Sequence, residues 1–275
     1  MDRPYYPLSY RFVAQLLSLL FHKITIIEHT KDFQQLPHPV IFAYNHNNYF
    51  ETAVLSSYLM RHWPQGPISF MVDWMYGQLP LIGWLVQGVQ PIYVYNKPAR
   101  WEFLNRRKGG VRPDPIQEGV ARLRQGYSVG IFPEGSRNGH PYLLKRGRLG
   151  VGELALQARV PVLPVGIDFP GRARRGRIPT FGRIILRFGQ PINFLEEITA
   201  WQRLQEDHRL APAQRQKGRV LRCRQITHTV MRELARLCGK QYPYRQPSGS
   251  ATWPPHQQFG ERGTEDGKNR YPESA

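Results

Sequence analysis

Two short polar clusters interrupt otherwise apolar stretches of the chain, and each directly follows a strand-like run. The first is Asn45-His46-Asn47-Asn48-Tyr49-Phe50-Glu51, after residues 40–44; the second is Phe132-Pro133-Glu134-Gly135-Ser136-Arg137, after residues 128–132. The carboxyl ends of strands are where α/β sheets place their sites. Residues five apart on a regular helix lie roughly 140° apart around its axis. His46 and Glu51 therefore meet only if His46 sits in a turn and Glu51 in the first turn of the helix that follows. A carboxylate bonded to one imidazole nitrogen fixes the tautomer and leaves the other nitrogen as a base able to take a proton from an alcohol. Taken alone, His46 reads more readily as a structural histidine capping a helix.

In the second cluster, Arg137 offers a bidentate clamp for phosphate, Gly135 permits close backbone approach, and Ser136 can donate a hydrogen bond. Lys145, Arg146 and Arg148 follow closely. Without context these residues are also consistent with a solvated basic loop. Gly126-Tyr127-Ser128-Val129-Gly130 fits the Gly-x-Ser-x-Gly hydrolase elbow, but that motif needs a strand before it and a helix after it. Here a helical pattern precedes and a strand follows, so Ser128 is an ordinary strand-start residue.

The elements that must position these clusters alternate. Helical patterns cover residues 10–21, 52–61, 116–125, 150–158 and, with a polar break near Pro212, 196–237. Strand patterns cover 24–27, 40–44, 92–95, 128–132, 162–167 and 183–188. Residues 74–88 are apolar and broken by Pro80 and Gly83, and 101–115 reads as an exposed loop. Such alternation predicts a single α/β domain with a central, mostly parallel or mixed β-sheet flanked by helices. The expected organisation is an N-terminal amphipathic membrane-associating segment (1–30), the α/β domain (31–195), a helical extension (196–239) and a disordered tail rich in Pro, Gly, Ser, Gln and charge (240–275).

The motifs together resemble those of the glycerolipid acyltransferases typified by bacterial 1-acyl-glycerol-3-phosphate acyltransferase. That family's first motif, Asn-His followed after four residues by Asp, stands here as Asn45-His46 with Glu51 in the Asp place. Its Phe-Pro-Glu-Gly-Thr-Arg motif stands as Phe132–Arg137 with Ser136 for Thr. Lys145-Arg146-Gly147 is similar to its Lys-x-Gly, residues 160–165 to its fourth motif, and 79–83 to the stretch before its second. The resemblance implies that His46 is a general base and Glu51 its orienting carboxylate. It implies that Glu134, Gly135, Ser136, Arg137 and Lys145 bind the glycerol and phosphate of an acceptor. The second motif normally ends in Arg; here Asn96 stands after the strand, with Lys97 next and Arg100 beyond, so Lys97 is the further phosphate candidate.

Composition is consistent with this. Lys and Arg number 38 against 20 acids, a net charge of +18, which attracts an anionic bilayer or a nucleic acid. Basic runs such as 171–177 lack the interleaved aromatics of a nucleic-acid platform, and none is expected to bind. The two cysteines, Cys223 and Cys238, have no metal-ligand spacing and imply a reducing compartment. No segment approaches the about 20 apolar residues of a membrane span, and the start of the chain does not read as a signal peptide. The expectation is an O-acyltransferase of phospholipid biosynthesis, peripheral or monotopic on the cytoplasmic face of a membrane. It would need no cofactor, taking acyl-CoA or an acyl carrier protein thioester as co-substrate and a lysophosphatidate-like lipid as acceptor. The alternatives are a lipid or thioester hydrolase and an inactive acyltransferase-like protein that only binds a membrane or a nucleic acid.

Overall fold

A computed structural model describes residues 6–23, 25–28, 33–48, 50–78, 80–88, 90–95 and 113–245. The elements in chain order are α1 (Leu8–Phe21), β1 (Thr25–Glu28), a short 3-10 turn (Phe33–Gln35), β2 (Ile41–Tyr44), α2 (Phe50–His62), β3 (Ile68–Asp73), α3 (Trp74–Gly77), α4 (Pro80–Gln87) and β4 (Ile92–Val94). There follow α5 (Pro115–Arg124), β5 (Ser128–Ile131), α6 (Gly150–Ala158), β6 (Val162–Asp168), α7 (Gly171–Arg175), β7 (Ile184–Phe188), α8 (Leu195–Glu206) and α9 (Pro212–Cys238).

The described strands form one seven-stranded sheet in the order β1-β7-β6-β2-β5-β3-β4. All neighbours are parallel except β6 and β7, so the sheet is mixed. Strand side chains alternate between two cores. Ile41, Ala43, Val129 and Val162 face a core closed by α5, α6 and α9, while Val40, Phe42, Tyr44, Leu163 and Val165 face one closed by α2. Each such aliphatic or aromatic side chain contributes roughly 1.5–3 kcal/mol when fully buried. A one-residue register slip would exchange the two faces, and so the register is fixed.

Three boundaries differ from those expected. β1 pairs in register with β7, from Thr25 against Ile184 to Glu28 against Arg187, so the sheet begins before residue 31. Helix α9 is no appendage, because Cys223, Ile226, Val230, Met231 and Leu234 fill one of the two cores. Nor does the structured chain stop at 239. Gly239 caps α9 with φ +63, and the turn sends Lys240 to Arg245 back across the domain, where Gln241 bridges to Leu143. Lys240 is 7% exposed. The tail beyond 245 lies outside the described residues.

Strand β3 had no counterpart in the sequence reading. Its short apolar run, Phe70 to Val72, abuts α3 with no loop between them, and Asp73 both ends the strand and caps α3 through a bond from Met75 N–H. The basic run at 171–177 contains a helical turn, α7. Arg172 pairs with Asp168 and also donates to the Gly239 carbonyl at 2.8 Å.

Candidate active site

β2 and β5 are parallel neighbours, with Ile41 opposite Val129 and Ala43 opposite Ile131. Their carboxyl ends therefore leave the sheet side by side, and the turns that carry the two polar clusters touch. The His46 N–H donates to Glu134 Oε1 at 3.0 Å, and the Asn138 N–H donates to the His46 carbonyl at 2.7 Å. Asn45 anchors the first turn from below. Its side chain pairs with both backbone groups of Ile167 in β6, at 2.9 and 2.7 Å, and so prolongs the ladder by one rung.

Past this rung the chain holds His46 in the turn, while Glu51 is the second residue of α2. The Asn48 side-chain oxygen accepts from the Glu51 N–H at 3.2 Å and caps the helix. Glu51 Oε1 lies 2.8 Å from His46 Nδ1. A carboxylate only accepts, so Nδ1 carries the hydrogen, and in the neutral ring the lone pair is on Nε2. The same carboxylate accepts from the Asn47 N–H and, at 2.8 Å, from Asn47 Nδ2. The extra methylene of Glu is thus accommodated: the carboxylate folds back from the helix over the Asn47 backbone to the imidazole. The Glu51 side chain is fully buried and that of His46 is 18% exposed. The imidazole stacks on Phe132, 4.1 Å between ring centroids, so the second cluster also sets the ring plane.

The basic cluster is built from the second turn. Gly135 has φ +65, and a Cβ there would fall 2.4 Å from Arg148 Cδ. Lys145 Nζ donates to Ser136 Oγ at 3.0 Å and to the Arg137 carbonyl at 2.6 Å. The exposed Arg137 guanidinium reaches the Tyr76 hydroxyl at 3.3 Å, and burial together with nearby Asp73 pushes that phenol's pKa up to about 12. Exposed Arg146 and Arg148 extend the positive rim. The arrangement can hold an anionic group beside a base.

Glu134 has a different place from the one expected of a substrate ligand. It is 2% exposed, and its oxygens accept from His46 N–H, Asn138 Nδ2 and Lys145 N–H. It braces the two turns against each other. Burial raises its pKa, and the three hydrogen bonds and Lys240 pull the other way. Lys97, with Asn96 and Arg100, lies outside the described residues. Sequence reasoning passed over Asn47, Asn138, His140 and Lys240. Asn47 lies inside the first cluster and Asn138 borders the second, so both could have been found as polar residues of a turn; Lys240 carries no local signal.

Ser128 Oγ accepts from the Val40 N–H at 3.2 Å and lies 3.4 Å from His38 Nδ1. This is no hydrolytic pair, because Ser128 is fully buried at the amino end of β5, the opposite edge of the sheet.

The family model described as Acyltransferase matches residues 25–168, just over half of the chain. The chain belongs to the acyltransferase family. Among solved structures it is similar to that of the 1-acyl-sn-glycerophosphate (LPA) acyltransferase PlsC from Thermotoga maritima. The likeness has a TM-score of 0.49 and 14% identity, over 83% of this chain and 81% of that one. No curated protein sequence matches.

Proposed function

We propose that this acyltransferase moves a fatty acyl group from a thioester of coenzyme A or acyl carrier protein to a hydroxyl of lysophosphatidate or a related lysophospholipid. It does so at the cytoplasmic face of an anionic membrane. The observation that carries the reading is the His46–Glu51 pair, 2.8 Å apart, beside a turn that presents Ser136, Arg137 and Lys145. The acceptor phosphate binds Arg137 and Lys145, with Lys97 as a further contact. His46 Nε2 takes the acceptor hydroxyl proton as the oxygen attacks the thioester carbonyl. The C–S bond then breaks, and the imidazolium returns the proton to the leaving thiolate. No acyl-enzyme forms.

The test is acyl transfer on anionic vesicles from labelled palmitoyl-CoA or palmitoyl carrier protein, with a panel of lysophospholipid acceptors. A general base is worth about 10²–10⁴ in rate, so H46A should fall by that factor while its melting transition is retained. Free fatty acid without acylated acceptor, or full activity in folded H46A, would sink the reading.

A further inference from the structure

We infer that Lys240 is a positioning residue for the His46–Glu51 pair, acting through Asn47. The inference rests on the reading above, in which His46 is the base. Lys240 Nζ donates to Asn47 Oδ1 at 2.6 Å, Asn47 Nδ2 donates to Glu51 Oε2 at 2.8 Å, and Glu51 Oε1 meets His46 Nδ1 at 2.8 Å. The chain of bonds has a direction. An ammonium has donors and no acceptor, so the amide oxygen of Asn47 must face it. That turns the amide nitrogen toward Glu51, and the Ile167 carbonyl, accepting at 3.2 Å, favours the same orientation. Were the amide reversed, its oxygen would face the Glu51 carboxylate and push it from the imidazole.

Lys240 is also electrostatically suited to this role. It is buried, which lowers its pKa, while Glu134 and Glu51 oppose that effect and Arg172 adds to it. A lysine is seldom buried without partners. This one donates as well to the His140 carbonyl at 2.8 Å, and His140 Nδ1 in turn accepts from the Tyr142 and Leu143 N–H groups of the loop leading to Lys145. The chain delivers it by a defined route. α9 ends at Cys238, the left-handed Gly239 reverses direction, and Arg172 holds the Gly239 carbonyl. Beyond it, Gln241 exchanges backbone bonds with Tyr142 and Leu144, and the Tyr242 hydroxyl accepts from the Gly147 N–H. One short strap thus lies against both the phosphate loop and Asn47.

The experiment compares full-length wild type, K240M and K240R in two readouts. One is steady-state acyl transfer. The other is the downfield Nδ1–H proton resonance of His46 in 15N-histidine protein, assigned by its absence in H46A. K240M should lose about 10- to 100-fold in kcat, by analogy with the range for removing a hydrogen-bond partner that orients a metal-bound histidine. Its acceptor KM should be unchanged, its His46 resonance shifted or broadened, and K240R should recover part of both. A strap that merely supports the phosphate loop would raise KM or lower the melting temperature and leave kcat and the resonance alone, which overturns the proposal. If K240M does not fold, K240A, which likewise removes the donor to Asn47 Oδ1, takes its place under the same criteria. Wild type without transfer but with a resonance that responds to K240M would refute the acyl-transfer reading and keep the link. Wild-type transfer with kcat and resonance indifferent to K240M would do the reverse.

Discussion

At the scale of single residues, the site turns on how Glu51 is held. Its two oxygens serve three donors, the His46 ring and the backbone and side chain of Asn47, with no exposure to water. Shortening it to Asp withdraws the carboxylate by one methylene from a turn built around the longer arm, although the related motif carries Asp at this place. A hydrogen bond to a charged group is worth about 1.5–3 kcal/mol, so E51D should lose roughly 10- to 150-fold in kcat. E51Q should lose more. It needs an acceptor toward His46 and Asn47 N–H and another toward Asn47 Nδ2, and an amide supplies only one. Steady-state kinetics on both variants checks the order. E51D equal to wild type would mean that the turn closes around either length and that the Glu is no specific adaptation.

At the scale of elements, the two motif turns meet because β2 and β5 are parallel neighbours, and the turn after β5 depends on one backbone position. Gly135 has φ +65 with the Arg148 side chain packed over it. An alanine there takes on roughly 1–2 kcal/mol of left-handed strain and displaces Arg148. G135A should therefore melt about 2–8 °C lower, given about 2–4 °C per kcal/mol at this size. It should also bind the acceptor more weakly; a variant with unchanged melting and KM would refute the assignment. Much at this scale was legible in the sequence. The alternation of periods exposed six of the seven described strands, and the polar turns marked where the site stands. β3 was hidden because its run merges with α3. The strand order was hidden because nothing local says that β6 lies beside β2, or that β7 runs against β6. Lys240 was hidden for the same reason in sharper form: 193 residues separate it from Asn47, and the Pro- and Gly-rich segment after it reads as tail. Contacts made by distant segments leave no periodicity to read.

At the scale of the molecule, charge and apolar surface bear on the membrane contact proposed above. No helix among the described residues is long and apolar enough to cross a membrane. Helix α1 packs on α2 through one side and presents Leu8, Phe12, Leu16, Leu19 and Leu20 on the other, at helical spacing and all exposed. From its end an aromatic file runs toward the site. Phe21 meets Phe50 edge-on at 5.3 Å, and Phe50 meets the exposed Phe181 at 5.1 Å, with Phe50 adjoining Glu51. On the other flank Tyr10 lies against the half-exposed Trp84. On the proposed reading this exposed face meets the bilayer; an interfacial apolar face immerses about 5–10 Å, and basic charge adds about 1 kcal/mol per residue near an anionic surface. With +18 on the chain, binding to vesicles containing anionic lipid should weaken as salt rises. The triple variant F12S/L16S/L19S removes three of these exposed apolar side chains. At even about 1 kcal/mol each, part of the full burial value, it should bind these vesicles roughly a hundredfold more weakly. Its turnover on a short-chain acceptor dispersed in water should hold, because none of the three touches the His46 turn. Cosedimentation together with that assay separates the cases. Undiminished vesicle binding would assign membrane contact to another face, and lost turnover in water would make α1 part of the catalytic fold rather than its anchor.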